Sequence, residues 1–160
     1  MRIDIKSSIL KQLDSRRLAK LGEEFRRNLD VKVGFIKGDR AVSGVPMATV
    51  AATHEFGVPE RGIPQRSFLR SGIHEGKAGQ IKLASQYATK IVLGKASLDS
   101  GLRAIGVLVK GQVQDKINRG PFAPLSDETI DRKGSSKPLI DTAAMKQSVK
   151  FVVGPTEAVG

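Results

Sequence analysis

The chain has 160 residues, enough to bury one core, but only six Phe and one Tyr as aromatics and an apolar share of 39%, so that core must rest on Leu, Ile, Val and Ala. With no cysteine, disulfides, thiolate zinc sites and cysteine nucleophiles are excluded together; no apolar run nears the roughly 18 residues of a membrane span, and the charged start MRIDIKSSILKQLDSRRLAKL lacks a signal-peptide block, so a soluble protein made in a cytoplasm is expected. Lys and Arg number 27 against 16 Asp and Glu, and the net charge of +11 favours polyanions or acidic protein surfaces as partners.

Residues 8–28 place Ile9, Leu10, Leu13, Leu18, Leu21 and Phe25 close to helical spacing, with Arg and Glu between them, which predicts an amphipathic helix with a break near Ser15. Val31 to Ile36 alternates apolar and polar residues before the turn Lys37-Gly38-Asp39 and predicts a strand. After the connector AVSGVP, the Ala-rich MATVAATHEFG predicts a helix of two turns stopped by Gly57. The next segment, VPERGIPQR, has two prolines and one glycine and is expected to be an irregular exposed loop.

Helical periodicity resumes after Ser67, the expected N-cap, with Phe68, Ile73, Ile81, Ala84, Tyr87 and Ile91 on one side and a bend at Gly76 or Gly79. A second long helix is predicted from Ser97, carrying Leu98, Leu102, Ile105, Val109, Val113 and Ile117 and ending at Gly120-Pro121. Gly101, Gly106 and Gly111 lie inside it, each weakening a helix by about 1 kcal/mol relative to Ala, which suggests close approach of another backbone. Beyond it come PFAPL, a short capped turn at Ser126 to Thr129, the segment KGSSKP, a short helix capped by Asp141 or Thr142, and a strand from Ser148 to Val153.

Signals for chemistry are sparse. The two histidines, His54 and His74, have no second ligand at helical spacing, and THEFG lacks the second His of HExxH, so zinc-peptidase geometry cannot be assembled. Neither a phosphate-binding GxxxxGK[ST] nor a GxSxG nucleophile elbow occurs. No enzyme and no cofactor is expected. What stands out is HEFGVPERGIPQRSFLR, where Phe56, Ile63 and Phe68 alternate with Arg61, Arg66 and Arg70, a combination enriched at protein interfaces. The plainer alternative is that Phe56 and Phe68 belong to the core and the arginines are solvated.

The stretch ATVAATHEFGVPERGIPQRSFLRSGI resembles a signature of tailed-bacteriophage tail-completion and neck proteins, an Ala-rich helix ending in an (H/Q)EFG turn, a variable loop and IPxRxFLR. The matching residues are His54, Glu55, Phe56, Gly57, Ile63, Pro64, Arg66, Phe68, Leu69 and Arg70. The later APLSDETIDRKGSSKPLIDTAAMKQSVKFVV is similar to the second half of that pattern, through Lys133, Lys137, Pro138, Leu139, Asp141 and Thr142, with Ala143 and Met145 where Gly and Leu are common.

The resemblance covers residues 31–153 and implies one domain, with an N-terminal helical segment at 1–30 and a tail at 154–160. The implied fold is α+β, a small largely antiparallel sheet with two long helices. The implied role is structural: a homo-oligomeric ring, six copies by analogy, in the virion between the connector or neck proteins and the tail tube or terminator. It would surround a DNA channel, touch DNA only non-specifically, and involve no membrane. The HEFG turn, the PxRxFLR loop and the KGSSKP loop are the implied subunit or tail contacts. The alternatives from the residues are a basic nucleic-acid-binding module, for which net charge is the one positive sign, and a small hydrolase using His54 and Glu55.

Overall fold

The computed structural model describes residues 15–36, 38–41, 44–122 and 144–156. Among these residues the fold is α+β: helices α1 (Ser15–Arg26), α2 (Met47–Phe56), α3 (Leu69–Glu75), α4 (Lys77–Val92), α5 (Leu98–Arg119) and α6 (Ala144–Gln147), with strands β1 (Leu29–Phe35) and β2 (Val149–Pro155) paired antiparallel. The predicted segments from Ser126 to Thr142, including Lys133, Lys137, Pro138, Leu139, Asp141 and Thr142, lie outside the described residues. None of the described helices is long and apolar enough to cross a membrane.

The described residues divide into two compact units, each discontinuous in sequence: one drawn from 1–32, 77–108 and 151–160, the other from 33–76 and 109–150. In the first, α1 buries Leu21 and α4 buries Ile91. Two charged residues of α1, seven positions and hence about two turns apart, serve the neighbouring helix ends. The Arg17 guanidinium donates to the carbonyls of Ile91 and Val92 at the end of α4, where a cation meets the negative pole of the helix. Glu24 accepts the Leu98 N–H at 3.2 Å, the first amide of α5, where an anion meets the positive pole. The same helix start has a local cap: Ser97 Oγ accepts the Ser100 N–H and Ser100 Oγ accepts the Ser97 N–H.

The glycines of α5 do not meet another backbone in this unit, contrary to the expectation. Gly101 lies against the side chains of Tyr87 and Ile91, and Gly106 against the ring of Phe151. Gly111, in the second unit, has open space where a Cβ would stand.

The second unit holds the main apolar cluster, Met47 and Ala51 of α2, Phe68, Val113 and Ile117 of α5, Met145 of α6 and Val149 of β2. Val109, Val113 and Ile117, spaced by four, are the buried stripe of α5. Phe35 of β1 meets Phe68 edge-to-face with ring centroids 5.9 Å apart. Met145, which departs from the family pattern, fills this core at 4% exposure. Against α5, α3 presents Gly72, whose missing side chain lets it approach Val113 and Lys116. Lys116 then pairs with Glu75 at 2.6 Å. The helical run is interrupted at Gly76, where α3 ends and the Gln112 amide donates to the Gly76 carbonyl at 3.2 Å.

Candidate interaction site

The segment from His54 to Arg70 folds back on itself. Val58 and Ile63 exchange backbone hydrogen bonds of 2.9 and 3.1 Å around a single 3-10 turn, Pro59–Arg61, closed by Gly62 in the left-handed region. The loop expected to be irregular is thus a tight hairpin, because prolines at 59 and 64 flank the bonding pair instead of occupying it. Gly57, at φ +74°, starts the reversal; a Cβ there would stand 2.8 Å from the Gln65 nitrogen, so no other residue fits without movement.

The return strand satisfies the end of α2. Gly57 donates to the Thr53 carbonyl and Arg66 to that of His54, at 2.9 and 2.7 Å. The Gln65 side-chain amide donates to the Glu55 carbonyl at 3.2 Å. Helix C-terminal acceptors that would otherwise face solvent are therefore met by the loop.

Glu55 is the hub. Its side chain is 4% exposed, and its carboxylate accepts the backbone N–H groups of Phe68, Leu69 and Arg70 at 2.9, 2.8 and 3.2 Å. It also accepts the Ser67 hydroxyl and the Arg70 Nε–H, each at 2.8 Å. The cap of α3 is therefore Glu55, from the preceding helix. Ser67, the expected cap, makes no such bond and spends its hydroxyl on Glu55. Burial alone would raise the Glu55 pKa; the Arg70 guanidinium, the Leu69 N–H, the Ser67 hydroxyl and the Arg70 N–H outweigh it and hold the carboxyl below its ordinary value.

Of the ten residues in the first half of the signature, Glu55, Arg66 and Phe68 are buried within the chain. Glu55 caps α3, Phe68 fills the core, and burial pulls the Arg66 guanidinium below its ordinary pKa. His54, Gly57, Ile63 and Leu69 are half-buried. Phe56, Pro64 and Arg70 form the exposed part. Phe56 is 62% exposed, and the Arg70 guanidinium lies 4.8 Å from its ring centroid, a cation–π arrangement. Phe68 is thus in the core and Phe56 outside it.

Beside this pair runs a mostly apolar groove of about 250 Å³, lined by Phe35, Ala48, Ala52, Phe56 and Leu69 together with Glu55 and Arg70. Sequence reasoning passed over Ala48 and Ala52, although their spacing of four to Phe56 places all three on one side of α2. Among the described residues no cluster of three or more His, Asp or Glu could hold a metal ion. No protein-family model, curated protein or solved structure matches this chain.

Proposed function

We propose that the chain is a structural neck or tail-completion subunit of a tailed bacteriophage, assembling into a ring that joins the tail to the head connector and surrounds the DNA channel. The observation that supports it is the bonding of Glu55. Two parts of the first half of the signature, HEFG and PQRSFLR, are held by five donors on one carboxylate as a single element. An element fixed in this way presents Phe56, Pro64 and Arg70 at constant positions in every copy, as ordered assembly requires. A closed ring needs heterologous contacts, one face of a subunit against a different face of its neighbour. The net charge of +11 suits an acidic partner.

The test is particle mass by light scattering, with negative-stain microscopy of the purified protein alone and mixed with purified tails. Rings, or tails capped at one end, are expected. Raising ionic strength is expected to weaken docking before it affects the fold, because screening acts over about 8 to 10 Å. A persistent monomer that neither binds tails nor blocks their self-association overturns the reading. Duplex-DNA affinity falling by about 0.9 log unit per neutralised phosphate per decade of salt would then favour the nucleic-acid module.

A further inference from the structure

We infer that the groove between Phe35, Ala48, Ala52, Phe56 and Leu69 is a docking site for an acidic protein segment that carries an apolar anchor side chain. Three observations converge on it. The groove is mostly apolar, the carboxylate of its one acidic lining residue, Glu55, being taken up by Arg70 and backbone amides, and it has room for a large side chain. Its wall includes Phe56, which stays 62% exposed although a large aromatic gains by being covered.

Its rim supplies a cation. The Arg70 side chain is 57% exposed, and after its bonds to the Glu55 carboxylate and carbonyl it makes no other hydrogen bond among the described residues. Its remaining N–H donors are therefore available to a carboxylate, while Glu55 and the Phe56 ring fix the guanidinium in place. An aromatic and a pre-positioned arginine around a water-excluding recess is the arrangement that concentrates binding energy at interfaces.

Charge selects the occupant. The exposed Arg70 guanidinium and the net charge of +11 complement an acidic segment, which is steered toward the groove and satisfies Arg70 on arrival. The partner's location in a tail or connector rests on the neck reading; the chemistry of the groove does not.

The probe is a fluorescein-labelled peptide, Asp-Glu-Leu-Phe-Glu-Asp, titrated with the intact protein by fluorescence anisotropy. Two controls replace Leu-Phe with Ser-Ser, or the four acids with Lys. Saturable binding that falls at least tenfold with either control is expected. Ala52→Glu fills the groove and repels the acids from an exposed helical site, and Phe56→Ser removes an exposed wall; each is expected to weaken binding at least tenfold with an unchanged thermal melt.

Absence of saturable binding, or equal binding of the Ser-Ser peptide, overturns the inference. Co-sedimentation with purified tails separates it from the neck reading. If the peptide does not bind while tails retain the wild type and Ala52→Glu equally, the inference fails and the neck reading stands. If the peptide binds as expected but tails retain nothing, the groove stands and the neck reading fails.

Discussion

The carboxylate of Glu55 and the backbone N–H of Leu69 meet at 2.8 Å across fourteen residues of chain, so the end of α2 supplies the cap that α3 lacks locally. Glu55→Ala leaves buried amides of Phe68 and Leu69 and the Arg70 guanidinium without their acceptor. The expected loss is about 3 kcal/mol, read as a lower urea midpoint at unchanged slope.

The same carboxylate sets an acid dependence. Its pKa is held below the ordinary 4.5 in the folded state, so in acid the unfolded state binds more protons. The stabilisation is complete above that ordinary value and disappears as pH falls through the lower folded value. The stability difference between wild type and Glu55→Gln is therefore expected to be constant from neutral pH to about 5 and to shrink below it, as measured by urea unfolding at a series of pH values.

Two glycines of the hairpin should respond differently to substitution. Gly57→Ala places a Cβ against the Gln65 nitrogen and the Ile63 carbonyl at positive φ, and is expected to cost about 2 kcal/mol. Gly62→Asn, at φ +66° with open space around it, is expected to cost under about 1 kcal/mol, since Asn tolerates the left-handed region. Thermal melts of the two variants decide it.

Along α5 the contrast has opposite signs. Gly111→Ala meets nothing within 4 Å and should stabilise by about 1 kcal/mol through helix propensity, a rise of roughly 2–4 °C in Tm. Gly106→Ala drives a Cβ into the Phe151 ring and should lower Tm despite the same gain in propensity.

The two charged residues of α1 make a fifth expectation. Removing Glu24 frees the first amide of α5, and removing Arg17 frees the last carbonyls of α4. Glu24→Ala and Arg17→Ala should each cost about 1 kcal/mol by urea unfolding, and the Glu24 effect should be partly masked because Ser97 and Ser100 cap the same end.

Local patterns alone determined much of the scaffold. The three-and-four spacing from Leu98 to Ile117, Ser97 before it and Gly120-Pro121 after it define α5, and the alternation after Val31 finds β1, because helix and strand periodicity, caps and stops act within a few residues. Gly57 was legible for the same reason, since a helix stop demands a backbone that only glycine adopts freely.

The tertiary structure decided the roles. Nothing local distinguishes Glu55 from a solvated acid, because its donors lie 12 to 15 residues onward; nor Glu24, whose amide partner is 74 residues away. Phe56 and Phe68 look equally apolar in sequence, and only packing sends Phe68 to the core and leaves Phe56 outside. The groove of Ala48, Ala52 and Phe35 joins α2 to a strand that no helical or strand window spans. Periodicity records which residues seek an interior, but burial, long-range caps and grooves depend on which distant segments the chain brings together.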